Sequence, residues 1–211
     1  MIQVRDILQV RFGKIDQAIE LFTKLPAPRP RFMGIDDHFN MLTDISGAMY
    51  TLVNEFTVGS LGEWENERDQ VYAQPNFDAW FKQFQLFVEG GRREYYTIEG
   101  KYGSWSRPGV IVVREQYRVH KWQVQTAVSL LERYGALLED RGVGRNPRIM
   151  TDAGGPMFQA VIEVETDNMA KWENDRRNMF RQPEFEVWFV QLQAVVESGQ
   201  HEFFKVEYAG S

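Results

Sequence analysis

Among its 211 residues the chain has no cysteine. That absence removes disulfides, thiolate nucleophiles, zinc knuckles and iron–sulfur clusters together, and it fits a reducing compartment. Histidine is scarce, with three in all, too few for most metal sites. No apolar run approaches the roughly 20 residues that cross a bilayer. The opening MIQVRDILQVRF carries Arg5, Asp6 and Arg11, unlike the apolar stretch of a signal peptide. The expectation is a cytoplasmic protein with no membrane partner. Basic surplus is missing too: 24 Lys and Arg against 30 Asp and Glu give a net charge of -6. A phosphate-binding face needs the opposite balance, so nucleic acid is not expected as a partner. No nucleophile elbow or zinc-helix motif occurs. RGVGRNP, residues 141–147, lacks the Lys-Ser/Thr of a phosphate loop.

What is present is an ordinary globular composition, 43% hydrophobic and 26% charged, and one unusual string that occurs twice. WENERDQVYAQPNFDAWF occupies residues 64–81 and WENDRRNMFRQPEFEVWF residues 172–189. Shifting the chain by 108 residues lays 47–103 over 155–211 without a gap, and 20 of those 57 positions are identical. At a shift of 109, residues 5–22 lie over 114–131 with apolar positions mostly matched. The chain therefore reads as a tandem duplication: repeat 1 over 1–103, a linker SWSRPG over 104–109, and repeat 2 over 110–211. Each unit has the size of a small domain.

Hydrophobic periodicity supplies the elements of one unit. In the second copy, 110–120 alternates as a strand, and 122–138 carries an apolar stripe at helical spacing. Residues 148–151 and 157–165 flank a glycine-rich turn. A helix over 168–181 is broken at Gln182-Pro183, because proline is tolerated at a helix start but not inside one. The next helix is closed by Ser198-Gly199, and 201–208 is a last strand. In the first copy the corresponding spans are 4–12, 14–25, 39–44, 49–56, 61–88 and 94–99. The order β-α-β-β-α-β is the ferredoxin-like arrangement, an α+β fold. A four-stranded sheet with helices on one face leaves the other open, and a second such sheet can cover it.

These residues resemble the dimeric α+β barrel superfamily, and within it the NIPSNAP-like proteins. The match lies in the strand ending at Glu55 or Glu163, the following WEN[ED]R helix, the Q-P-x-F-x-x-W-F helix start, and the closing E-[SG]-G-x-x-E-[FY]-[FY] strand. It spans nearly the whole chain, twice. The resemblance implies two ferredoxin-like repeats forming a pseudo-dimeric barrel within one chain. It also implies either an uncharacterised small-molecule-binding protein or a cofactor-free monooxygenase acting on an aromatic compound. Barrel relatives that bind haem do so through a histidine. None recurs in both halves here, so no cofactor is expected. A third reading is a structural or assembly protein with a filled barrel, either as a monomeric pseudo-dimer or as a homodimer.

Strand alternation selects the residues that face the barrel interior. Phe158, Ala160, Ile162 and Val164 read as helix-facing, which leaves Met157, Gln159, Val161, Glu163 and Glu165 inward. By the repeat, Met49, Thr51, Val53 and Glu55 also point inward. In the first strands Arg5, Ile7, Gln9 and Arg11 are inward, with Arg114, Gln116, Arg118 and His120 as counterparts. The candidate ligand-binding set is Arg5, Glu55, Arg114, Arg118 and Glu163, in which a planar guanidinium grips a carboxylate or carbonyl. The competing reading is that these charges neutralise one another, since buried charges need partners. His120 is a candidate general base, against a solvated strand end. Asp36, Asp37 and His38 are metal-ligand types, but adjacent loop residues seldom converge on one ion, and no metal is expected. The tryptophans of the repeated string read as core, with Arg68 or Arg176 lying over Trp64 or Trp172 four residues away.

Overall fold

The computed structural model describes residues 1–23 and 39–210. The elements run β1 (Ile2–Val10), α1 (Ile15–Thr23), β2 (Asn40–Asp44), β3 (Thr51–Val58), α2 (Leu61–Tyr72), α3 (Phe77–Phe87) and β4 (Val88–Glu99). Then follow β5 (Ile111–Val119), α4 (Val124–Asp140), β6 (Arg145–Gly154), β7 (Gln159–Thr166), α5 (Met169–Met179), α6 (Pro183–Gln193) and β8 (Val196–Ala209). The strands close into one antiparallel barrel in the order β1-β3-β2-β8-β5-β7-β6-β4.

Within that ring, β4-β1-β3-β2 and β8-β5-β7-β6 are the same order in the two halves. The halves join edge to edge, through β2 with β8 and β4 with β6. Edge pairing leaves no open ladder anywhere among these strands. The six helices among the described residues cover the outside, and each half builds its own core against them. In the second half Leu131, Tyr134, Trp172, Trp188 and Leu192 pack on Ala160, Ile162 and Val164. In the first, Phe22 and Trp64 pack on Val4, Leu52 and Phe56.

Local chemistry repeats at the atomic level. Tyr50 and Phe158 hold positive φ of 61° and 62° just before β3 and β7, a costly conformation for an aromatic residue. The reward at each turn is a carboxylate cap: Asp44 Oδ1 accepts from the Thr51 amide and Asp152 Oδ1 from the Gln159 amide, both at 2.7 Å. The break in the repeated string is also as expected. Pro183 opens α6, and the residues around Pro75 separate α2 from α3.

Five expectations change. Met49 and Met157 lie outside the strands and are exposed, because the turns that precede β3 and β7 run through Tyr50 and Phe158. The last strand of each half begins at Val88 or Val196, earlier than the pattern suggested. Gly199 is a strand residue rather than a helix cap, as is its counterpart Gly91: a Cβ at Gly91 would stand 2.6 Å from the Ile7 carbonyl oxygen, and one at Gly199 2.9 Å from the Tyr117 ring. Close backbone approach requires glycine there. The guanidinium over Trp64 belongs to Arg93 of β4, 4.5 Å from the ring centroid, whereas Arg68 pairs with Asp69. Arg176 lies over Phe180 instead of Trp172. Finally, the stretch 104–109 does more than connect, for Trp105 is buried inside the barrel.

Candidate functional site

The barrel interior holds the charged set. An eight-stranded barrel is just wide enough for side chains to fill it. Arg5, Glu55, Arg114 and Glu163 are all at most 1% exposed. Arg5 Nη1 donates to Glu55 Oε1 and, at 2.9 Å, to Glu163 Oε1; Arg114 Nη1 donates to the same Glu163 oxygen at 2.5 Å. Burial and the neighbouring Glu163 charge push the Glu55 carboxyl above its ordinary value. Burial opposes ionisation of Glu163 as well, but Arg114, Arg5 and Arg148 outweigh it and hold Glu163 low. One carboxylate is thus firmly ionised while its partner is held less so.

Arg148 is the member that sequence reasoning missed. It is fully buried, 3.8 Å from Glu55 Oε2, and its guanidinium lies 3.2 Å over the Trp105 ring and 4.5 Å over Tyr102. The repeat concealed it, because the matching position is Asn40 and a charge present in one copy escapes a search for pairs. Alternation along β6 would have exposed it. Tyr102 and Trp105 close this end of the barrel: Gln3 donates to the Tyr102 hydroxyl at 2.9 Å, and the Ser106 amide donates to Glu165 at 2.9 Å. The opposite end is an open mouth of about 300 Å³ with Arg5 and Arg114 among its lining residues.

The remaining candidates lie elsewhere. Arg118 is about half exposed and donates to Glu197 at 3.0 Å. His120, also about half exposed, faces Glu197 at 3.5 Å. Arg118 is the penultimate residue of β5, still paired with Gln159 and Ser198, and His120 lies just beyond the strand, so both stand at its exposed end. Arg11 is exposed just beyond β1. Asp36, Asp37 and His38 fall outside the described residues. Among the described residues no group of three or more His, Asp or Glu side chains is placed to hold a metal ion.

Two further cavities lie on the outer face, between sheet and helices, one in each half. The first, about 440 Å³, is walled by Tyr72 of α2, Phe77, Trp80, Phe81 and Phe84 of α3, and Phe22 of α1. The ring centroids of Trp80 and Phe84 stack at 5.2 Å, and Phe22 meets Trp80 edge-on at 5.4 Å. Its floor is polar. Arg93 grips Asp6 with two hydrogen bonds of 2.5 and 2.7 Å; burial works against that charge, but Asp6 prevails and raises the Arg93 pKa. Asn54 Oδ1 and Trp80 Nε1 are buried with no hydrogen-bond partner among the described residues.

The second cavity, about 350 Å³, uses the equivalent wall of Phe180, Phe185, Trp188 and Phe189. Its floor differs. Glu115 accepts from the Tyr117 and Tyr134 hydroxyls and faces His201 Nε2 at 3.4 Å. Burial pushes the Glu115 carboxyl up, yet His201 and Tyr117 outweigh it and keep it below its usual range. Trp188 Nε1 donates to the Leu130 carbonyl at 2.8 Å, and Tyr134 stacks on the Trp188 ring at 4.1 Å. Neither outer cavity was foreseen, because the polar floor residues sit in strand positions that the periodicity assigned to a wholly apolar core.

No family model matches the sequence, and no curated protein matches it. Solved structures do. A protein from Fusobacterium nucleatum described as a candidate monooxygenase superposes with a TM-score of 0.70 at 11% identity, over 100% of this chain and 94% of that one. An anthrone oxidase-like protein gives 0.66 at 14% identity, over 99% and 92%. A NIPSNAP family protein from Agrobacterium tumefaciens aligns with 44% of this chain and 90% of its own, at 17% identity and a TM-score of 0.40. The chain thus shares with the first two of these proteins an α+β fold built on a closed antiparallel barrel.

Proposed function

We propose that the protein binds a small, flat organic molecule with a polar edge in the outer cavity of its first half. The observation that carries this reading is the unpartnered pair, Trp80 Nε1 and Asn54 Oδ1, in an aromatic-walled space of about 440 Å³. Ligand sites are usually concave, mostly apolar and furnished with a few convergent polar groups. Buried polar atoms without partners are rare enough to need an explanation. A ligand that accepts from the indole N–H and donates to the amide oxygen satisfies both, and a hydroxylated aromatic does so with one hydroxyl group. Isothermal titration with 2-naphthol tests this. Saturable binding is expected, weakened about tenfold in Asn54→Ile through one lost hydrogen bond. No saturable heat, or binding indifferent to Asn54→Ile, would remove the proposal.

A second reading is an enzyme, a cofactor-free monooxygenase acting on an aromatic compound. It is favoured by the Glu115–His201 pair on the floor of the other outer cavity, where an imidazole beside a carboxylate suits proton acceptance from a phenol. The neighbours described as monooxygenase and oxidase share the fold, and fold alone does not transfer activity. Dissolved-oxygen measurements with hydroxylated aromatics, on the wild type and His201→Ala, decide it: uptake lost in the variant supports the enzyme, and no uptake across the panel leaves binding alone.

The same proposal takes the chain as two ferredoxin-like repeats, 1–103 and 110–211, fused into one pseudo-dimeric barrel that works as a single chain in the cytoplasm. The matching strand order of the halves and their paired Asp44 and Asp152 caps support it. A mass in solution near 24.7 kDa is the expected result.

A further inference from the structure

We infer that the open mouth of the barrel is a second ligand site, one for a small carboxylate. It lies on the inner face of the sheet and has Gly91 and Arg92 in common with the lining of the aromatic cavity outside. Arg5 and Arg114 each stand 1% exposed and line its floor. Both spend Nη1 on the shared Glu163 oxygen, while Arg5 Nε and Arg114 Nη2 have no partner among the described residues. A guanidinium carries five donors in a fixed fork, and a buried donor left unmatched is destabilising. Carboxylate oxygens arriving from the mouth would extend the arrangement already built inside, where one carboxylate lies between two guanidinium groups.

The other groups at the mouth decide which ligand fits. Glu94 is occupied, accepting from Tyr96 and from Arg92 at 2.8 Å each. Glu202 stands 3.8 Å from Arg114 Nε, beyond hydrogen-bond reach, and is a quarter exposed. It is the competitor for an incoming anion. Deeper in the barrel three guanidinium groups face Glu55 and Glu163, and the raised pKa of Glu55 tilts that balance further to positive. A cavity of about 300 Å³ has room for roughly ten waters, so a small monoanion fits and a large one does not.

The experiment is a titration of the ¹⁵N-labelled protein with sodium acetate, against sodium chloride at equal ionic strength, following the arginine Nε–H signals. Expected are saturable shifts of the Arg5 and Arg114 signals with acetate. Removal of the competitor in Glu202→Gln should tighten binding by up to about fivefold, the upper end for an exposed ion pair. Gln116→Trp, which fills the mouth, should abolish it, and Asn54→Ile, which alters only the outer cavity, should leave it intact. Shifts that acetate and chloride produce alike, or acetate binding that survives Gln116→Trp, would overturn the inference. Loss of 2-naphthol binding would not touch it.

Discussion

The two outer cavities share a wall and differ in their floors. Phe77, Trp80 and Phe81 in the first half stand where Phe185, Trp188 and Phe189 stand in the second. Beneath them, Asp6 faces Glu115 across the repeat, Asn54 faces Ile162, and Arg93 faces His201. On the floor of the second cavity Trp188 is answered by the Leu130 carbonyl and Glu115 by two tyrosines and a histidine, while Arg176 Nε in its lining has no described partner. In the first, Trp80 and Asn54 are left with buried atoms and no described partner. The two halves thus set similar aromatic walls over different unpartnered atoms, Trp80 Nε1 and Asn54 Oδ1 in the first and Arg176 Nε in the second.

The largest expected effect lies beneath both cavities, in the charged interior they share. Glu163→Gln should lower the free energy of unfolding by about 3–5 kcal/mol, because it strips the ionised partner from two buried guanidinium groups. Glu55→Gln should cost markedly less, since that carboxyl is already raised toward its neutral form. Urea unfolding of the two variants side by side measures this, and equal losses would contradict the assigned protonation order.

Trp188→Phe and Trp80→Phe sharpen the contrast between floors. Both remove similar volume, but only the first breaks a buried hydrogen bond, so it should be more destabilising by about 1 kcal/mol. Asn54→Ile should make the first floor resemble the second. A thermal midpoint equal to or slightly above wild type is expected, because an unpaired buried amide gives way to an apolar group. The smallest effect concerns pH. Glu115 has a depressed folded pKa, so its stabilising contribution is complete above its ordinary value of 4.5 and fades as pH falls through the folded pKa. In His201→Ala, which removes one cause of the depression, the acid-side loss of stability should be shallower.

Much of this was legible in the chain. The repeated string and the alternation in residues 157–165 located the helices, the break at Pro183 and the inward carboxylates Glu55 and Glu163, because period and proline geometry are local properties. Arg5 and Arg114 followed from the same alternation. Arg118 and His120 stand at the end of β5, about half exposed beside Glu197, and alternation does not say how near the end of the barrel a residue lies. Arg148 and Trp105 were missed for a different reason: each occurs in one copy alone, and their meeting inside the barrel depends on which end of the ring the segment after Glu99 crosses.

By itself, then, the sequence determined the order of the elements and the faces of most strands, set by interactions a few residues long. Only the tertiary structure decided that β2 meets β8 and β4 meets β6, that Glu163 serves two arginines at once, and that Trp80 keeps a free N–H where Trp188 does not. Those are contacts between residues tens to more than 150 positions apart, and no local pattern encodes which of many such partners a buried polar atom will find.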